Sequence, residues 1–188
     1  MPAFIQLRSG AFLDLENPAP QLITLADIAY ATARICRYTG HTSRHTSVAE
    51  HSVHVSLICP PEVAYEALLH DAAEAYVGDV SGPLKRLLPD FIVVEQRMRG
   101  AIAERFGLGS QWQYADPLAV KAADLRMLAI EARAVMGAGS CDATSPWGSL
   151  VDASDPRYSD HPAVARIGRM PDEAHAMFLA RARELGVE

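Results

Sequence analysis

The segment from Ala67 to Asp79, ALLHDAAEAYVGD, places His70 and Asp71 side by side in a stretch that is otherwise apolar and helical in pattern. Burying a carboxylate without partners is strongly unfavourable, so a fold that encloses this helix must supply compensating groups. Glu74 lies one turn beyond His70 and adds a third polar side chain to the same stretch. The segment therefore predicts a buried polar site whose charge a group from elsewhere must balance.

Helical patterns dominate the rest of the chain. Residue types that begin helices stand at Thr24, Ser47, Pro61, Asp90 and Pro171, and glycines that can end them stand at Gly78, Gly107 and Gly186. We expect helices over 61–78, 90–106 and 116–136, and a long loop over 138–160. Alternation of apolar and polar residues between Phe4 and Leu15 predicts a short β-hairpin. The sequence thus predicts an all-α class: one domain over 1–188, with helices packed on helices and a minor N-terminal β-hairpin.

Charge and hydropathy exclude several functional classes. The net charge of −6 argues against binding to duplex nucleic acid, which depends on neutralising phosphates. No apolar run approaches the roughly 20 residues that a membrane span requires, and the N-terminus has no signal-peptide pattern. The 3 cysteines are widely spaced and fit neither a disulfide framework nor a CxxC zinc site. We expect a cytoplasmic protein that binds neither membranes nor duplex nucleic acid.

Two further ionisable residues face apolar stripes on separate predicted helices. Ser47 to Glu50 has the form of a capping box, which places His51 early in a helix and on its apolar side. Asp124 likewise has apolar residues on the neighbouring turns of its helix. Two imidazoles and two carboxylates suit Mn, Fe, Co, Ni or Zn. We predict one divalent transition metal ion held by His51, His70, Asp71 and Asp124; separate ion pairs and core histidines are the alternative.

The local sequences that carry these residues occur in a defined order. TSVAEHSVHVS contains His51, ALLHDAAEAYVGD contains His70 and Asp71, and KAADLRML contains Asp124. This order resembles the HD-domain metal-dependent phosphohydrolase superfamily, over about residues 37–131. The branch that the chain resembles most includes bacterial 5′-deoxynucleotidases and a phage-type deoxyadenosine triphosphate triphosphohydrolase.

The resemblance implies an HD-type helical bundle, a homo-oligomer (a dimer or larger), and roles for particular residues. It implies that the four residues above are the metal ligands, that Glu74 positions or activates the attacking water, and that Asp79 contributes to the site and to substrate placement. It also implies that Arg37, Lys85 and Lys121 bind phosphate. The family often shows Arg-Trp where this chain has Arg37-Tyr38.

The function expected from these features is hydrolysis of a (deoxy)nucleoside 5′-phosphate. The substrate could be a deoxynucleoside monophosphate or a dNTP such as dATP, with Mg²⁺ accompanying it. Two alternatives stay open: a signalling-nucleotide hydrolase, and a metal-stabilised regulatory or binding module without turnover. Glu74 and Asp79 argue against the module, because a purely structural metal site would not require them. His41, His45 and His54 are expected at the surface rather than at a second metal ion.

Overall fold

A computed structural model of the chain describes residues 3–136 and 166–187, and helices make up most of it. The helices are α1 (Leu25–Thr32), α2 (Val48–Ile58), α3 (Ala64–Leu69), α4 (Glu74–Val77), α5 (Gly82–Lys85), α6 (Pro89–Phe106), α7 (Leu118–Val135) and α8 (Pro171–Glu184). Strands β1 (Phe4–Gln6) and β2 (Phe12–Asp14) pair in antiparallel register, with Ile5 opposite Leu13. Single 3₁₀ turns lie at Pro20–Leu22, Arg37–Gly40, Pro61–Val63 and Ser110–Gln113. The predicted class, helices with a short N-terminal β-hairpin, is confirmed.

The predicted helix ends agree with the structure in several places. The Thr24 hydroxyl accepts a hydrogen bond from the N–H of Asp27 at the start of α1, and Gly107 ends α6 in the left-handed conformation.

The loop expected over 138–160 lies outside the described residues. Within the described residues, none of the helices combines the length and the apolar character that crossing a membrane would require.

The central helix of the bundle is α2. All of its residues from Val48 to Ser56 are buried, and α3, α7 and α8 pack against it. One apolar cluster includes Ile28, Leu69, Ile102 and Phe178, and a second joins α2, α3 and α7. Because α2 is enclosed on every side, its polar side chains point towards neighbouring elements rather than water.

Glu50 fastens the segment before α8 to α2. The Ser47 hydroxyl accepts the Glu50 N–H, as a capping box requires, but the buried Glu50 carboxylate instead accepts the backbone N–H groups of Gly168 and Arg169, each at 3.1 Å. The Arg169 guanidinium adds a bond at 2.9 Å. A Cβ at position 168 would lie 2.2 Å from Cδ of Arg44, and φ there is +100°. Glycine is therefore required where this segment crosses the Arg44 side chain.

The continuous helix predicted over 61–78 is wrong, because the helix is interrupted at His70. After the 3₁₀ turn at its start, α3 ends at Leu69, and α4 begins at Glu74. The Glu74 N–H bonds to the carbonyl of Asp71 at 3.0 Å, three residues back, instead of the carbonyl four residues back. The tighter turn places His70 and Asp71 at the junction between the two helices.

Arg99 on α6 provides the alternative partner that the His70 carbonyl needs. Its Nη1 donates to that carbonyl at 3.0 Å, and its other nitrogens donate to the Trp112 carbonyl and to the Asp116 carboxylate. The released backbone oxygen therefore stays paired although it lies inside the protein. Local sequence patterns do not indicate this interruption, because Arg99 is distant along the chain.

His54 is buried on α2, so its predicted surface position is wrong. It is 1% exposed, and its Nε2 lies 3.4 Å from Nη1 of Arg169. Burial lowers the pKa of His54 to about 4; the positive charge of Arg169 acts in the same direction, and Glu131 opposes it. His54 is therefore a neutral core residue at physiological pH. His41 is exposed, as predicted.

We predict that replacing His54 reduces the acid sensitivity of the fold. His54 takes up a proton near pH 6.5 in the unfolded chain but near pH 4 in the folded one, so wild-type stability falls as pH drops from 6.5 towards 4. This loss amounts to about 3 kcal/mol at its limit. His54→Gln should lack it, giving a shallower decline of the urea-derived free energy of unfolding between pH 7 and 4. The exposed-residue control, His41→Gln, should keep the wild-type slope, and an equally steep decline in His54→Gln would contradict the prediction.

Candidate metal centre

Three parts of the bundle direct side chains to one buried point. His51 comes from α2, His70 and Asp71 come from the junction of α3 and α4, and Asp124 comes from α7. One donor atom each of His51, His70 and Asp124 lies within 4.8 Å of the others. Oδ2 of Asp71 lies 3.2 Å from Nε2 of His70 and 3.8 Å from Nε2 of His51, and Oδ1 of Asp124 lies 3.2 Å from Nε2 of His51. Two donors that share an ion at about 2.1 Å lie about 3–4 Å apart, so His51, His70 and Asp124 can hold a metal ion. Asp71 lies beside both imidazoles, and its place among the ligands stays a prediction.

Both imidazoles have their Nε2 atoms free for a metal ion. Nδ1 of His51 lies 2.9 Å from Oε1 of Glu131, and Nδ1 of His70 lies 2.8 Å from the Ala67 carbonyl oxygen. These oxygens only accept hydrogen bonds, so each Nδ1 carries a hydrogen and donates. In its neutral form, each ring would present a lone pair at Nε2, and neither Nε2 has a hydrogen-bond partner among the described residues. Buried, unpartnered nitrogens beside two carboxylates are the arrangement that a divalent cation would satisfy.

Glu131 on α7 is the functional residue that the sequence interpretation missed. It is fully buried. In addition to its hydrogen bond with His51, it accepts two hydrogen bonds at Oε2, from Nε of Arg37 at 3.1 Å and from the hydroxyl of Tyr38 at 2.7 Å. Burial opposes its ionisation, but the charges of Arg37 and His51 lower the pKa of Glu131 to about 2. It follows Asp124 by two helical turns on an apolar stripe, so the argument applied to Asp124 would also have found it.

Carboxyl groups outnumber the arginine and lysine side chains around the centre. In the described part of the chain, five carboxylates and three cationic side chains lie in or beside it: Asp71, Glu74, Asp79, Asp124 and Glu131, against Arg37, Lys85 and Lys121. Burial raises the pKa of Glu74 well above its usual value, and the charges of Asp71 and Asp79 raise it further. Burial likewise raises the pKa of Asp79. A divalent cation would offset this excess.

The same excess acts on the histidines. Burial and the Arg37 charge oppose protonation of His51, but the charge of Glu131 and the Asp124 carboxylate, 3.2 Å from Nε2, raise the pKa of His51 to about 9. The pKa of His70 is also raised: burial opposes this, and the Asp71 carboxylate overcomes it. A metal ion must therefore displace protons from these imidazoles when it binds.

The two predicted phosphate-binding lysines lie at the border of the centre, each beside a carboxylate. Nζ of Lys85 lies 2.5 Å from Oε1 of Glu95 and 4.0 Å from Oε1 of Glu74. Nζ of Lys121 lies 2.6 Å from Oδ2 of Asp124, which leaves Oδ1 directed towards His51. Both ammonium groups are close enough to reach a ligand at the centre, and their role with phosphate stays a prediction.

A cavity of about 330 Å³ lies beside the centre. Its wall includes Asp79, Leu128 and the turn at Tyr38 and Thr39, and Arg37 lines it as well. Nη1 of Arg37 also lies 3.4 Å from Oδ2 of a ligand residue, Asp71. Arg37 thus connects the cavity with the centre, and the volume falls at the lower end of small-molecule sites.

Fold and site together define a helical protein with a buried His/Asp cluster that can hold a metal ion. No protein-family model matches the chain. It is 37% identical over 186 residues to the uncharacterized protein YfdR of Escherichia coli (strain K12), covering 97% of this chain and 96% of that protein. It is 32% identical over 189 residues to the uncharacterized protein RCAP_rcc00048 of Rhodobacter capsulatus, covering 95% and 93%. The chain belongs to the family that these two proteins represent.

We predict that the protein binds one divalent ion per chain and that single histidine replacements weaken this binding. His51→Gln or His70→Gln removes one predicted ligand, so affinity for Co²⁺ should fall at least about 100-fold, which is more than the loss of a hydrogen-bond partner behind a ligand causes. Isothermal titration calorimetry of the metal-free protein measures this change. His45→Gln alters a histidine outside the centre and should bind as the wild type does. Unchanged affinity in both ligand variants would show that the ion binds elsewhere.

Proposed function

We propose that the chain is a metal-dependent phosphohydrolase acting on (deoxy)nucleoside 5′-phosphates, as a deoxynucleoside monophosphatase or a dNTP triphosphohydrolase. The observation that carries this proposal is the convergence of His51, His70 and Asp124 on one point beside a cavity, with Asp71 next to both imidazoles. The resemblance of their sequence order to HD-domain phosphohydrolases supports the choice of reaction. A cytoplasmic homo-oligomer remains part of the proposal.

The buried acid Glu74 is suited to move a proton during hydrolysis. A divalent cation at the centre would supply Lewis-acid assistance, polarising a phosphoryl oxygen and lowering the pKa of water. The Oε2 atom of Glu74 has no hydrogen-bond partner among the described residues. In the ionised form, which a nearby cation would favour, it would accept the proton of the attacking water. The water oxygen would bond to phosphorus, the bond from phosphorus to the leaving oxygen would break, and that oxygen would take up the proton held by Glu74. Asp79, on the cavity wall, would place the substrate.

The cationic residues would exchange carboxylate partners for phosphate oxygens. Arg37 lines the cavity and carries a planar guanidinium that can bind two phosphate oxygens. Lys121 is 54% exposed at its side chain, so it can reorient towards a ligand. Lys85 is more enclosed and lies near Glu74. Together they would offset the charge that a phosphate adds to an acidic site.

We predict metal-dependent hydrolysis that requires Glu74 and Asp71. The metal-free protein should be assayed with nucleoside 5′-mono- and triphosphates after addition of Mn²⁺, Co²⁺, Mg²⁺ or Zn²⁺. Glu74→Gln should retain the ion but lose about 10²- to 10⁴-fold in turnover, the range expected for a proton-transfer group. Asp71→Asn should lose both metal affinity and turnover.

Glu62→Gln provides the matched control, because Glu62 is an exposed carboxylate before α3. It should retain wild-type turnover. Release of phosphate would identify a monophosphatase, and release of triphosphate would identify a dNTP triphosphohydrolase. One tightly bound ion without turnover of any nucleotide would reject the proposed activity and favour the regulatory or binding module.

A further inference from the structure

The two oxygens of the Glu131 carboxylate contact different parts of the site. Oε1 accepts Nδ1–H of the ligand His51 at 2.9 Å. Oε2 accepts the Tyr38 hydroxyl at 2.7 Å and Nε of Arg37 at 3.1 Å, and both residues line the cavity. A single buried carboxylate thus lies between a predicted metal ligand and the cavity wall.

The cavity wall has an unusual backbone conformation where Glu131 contacts it. Tyr38 and Thr39 have φ values of 57° and 54°, the left-handed region that residues other than glycine seldom occupy. Such conformations persist where surrounding contacts hold them. The bond from the Tyr38 hydroxyl to Oε2 is one contact that holds this turn.

We propose that Glu131 is a positioning residue that couples metal binding at His51 to the conformation of the Tyr38–Thr39 turn. The inference rests on the metal-binding part of the proposed function and is independent of the substrate. The terminal torsion of a glutamate is broad, so the bonds at Oε2 fix the plane of the carboxylate. That plane determines where Oε1 meets the imidazole, and so the direction of Nε2.

Coupling of this kind is reciprocal. If the Tyr38 bond favours the ring orientation that binds metal, metal binding must favour the turn conformation by the same factor. Tyr38 does not belong to the predicted ligand set. Its hydroxyl is bonded to Glu131, which is bonded to His51, so we expect an effect of that hydroxyl on metal affinity to follow these two contacts. This separates a positioning role from a general contribution to stability.

The first test measures Co²⁺ binding to the metal-free full chain by calorimetry and by the visible absorption spectrum of the bound ion. Tyr38→Phe removes only the hydroxyl, and its affinity should fall about three- to tenfold, as expected for one hydrogen bond. Glu131→Gln should lower affinity about 10- to 100-fold and alter the spectrum. The matched control is Tyr65→Phe, which likewise removes one tyrosine hydroxyl. The Tyr65 hydroxyl donates to the backbone carbonyl of Phe106, away from the centre. It should lose stability but bind Co²⁺ with wild-type affinity.

The second test follows backbone amide hydrogen exchange over residues 37–41. Co²⁺ should slow exchange in the wild type, and this protection should be smaller in Tyr38→Phe, which keeps the proposal testable if Glu131→Gln does not fold. Wild-type affinity and spectrum in Tyr38→Phe would overturn the coupling while leaving the metal centre intact. Failure of the wild type itself to bind Co²⁺ would overturn the metal centre, and the coupling with it.

Discussion

The centre of this protein is organised by an excess of carboxyl groups over arginine and lysine side chains between α2, the α3–α4 junction and α7. Carboxylates from separate elements meet where water is excluded, and isolated buried charges are strongly unfavourable. Arg37 is bonded to both Glu131 and Asp71, and Lys121 is bonded to Asp124. These pairs reduce the imbalance but leave two imidazole nitrogens without hydrogen bonds in the described region. A divalent cation would satisfy the nitrogens and the charge together.

The backbone adapts to this centre through α6, which contributes no ligand. Arg99 donates a hydrogen bond to the His70 carbonyl, which has no helical partner where the helix is interrupted. The guanidinium carbon of Arg99 lies 4.3 Å from the centre of the Trp112 ring. Its Nη2 atom forms an ion pair with Oδ1 of Asp116 at 2.6 Å. The arginine thus fixes the direction of the ligand junction from outside the metal centre. The position of the His70 side chain therefore depends on a contact with Arg99, which helical periodicity cannot predict.

The sequence predicted those features that depend on local patterns. Thr24 and Ser47 cap helices because their hydroxyls reach N–H groups of the following turn, and Gly107 ends a helix because glycine accommodates positive φ. The four ligand candidates were found because ionisable residues stood on apolar stripes. The same criterion would have found Glu131, which was overlooked.

Other features depend on contacts distant along the chain and could not be predicted. The interruption at His70 requires Arg99, and burial of His54 requires the segment with Arg169 that packs over α2. Tyr38 stands where the resembled family often has tryptophan, which carries no hydroxyl. The structure shows the Tyr38 hydroxyl bonded to a carboxylate on α7. Only the folded arrangement gives this residue a polar partner.

The contacts between α2 and the segment before α8 constrain how the chain can change over generations. Gly168 has no room for a side chain because Arg44 crosses it, and Arg44 donates to the carbonyl next to it, that of Ile167. Glu50 in turn requires N–H groups presented at Gly168 and Arg169. A side chain at position 168 would clash with Arg44, and a shift of this segment would leave the buried Glu50 carboxylate without its N–H partners. We therefore expect these positions to change together, which would tie the α2 sequence to a short sequence more than a hundred residues away.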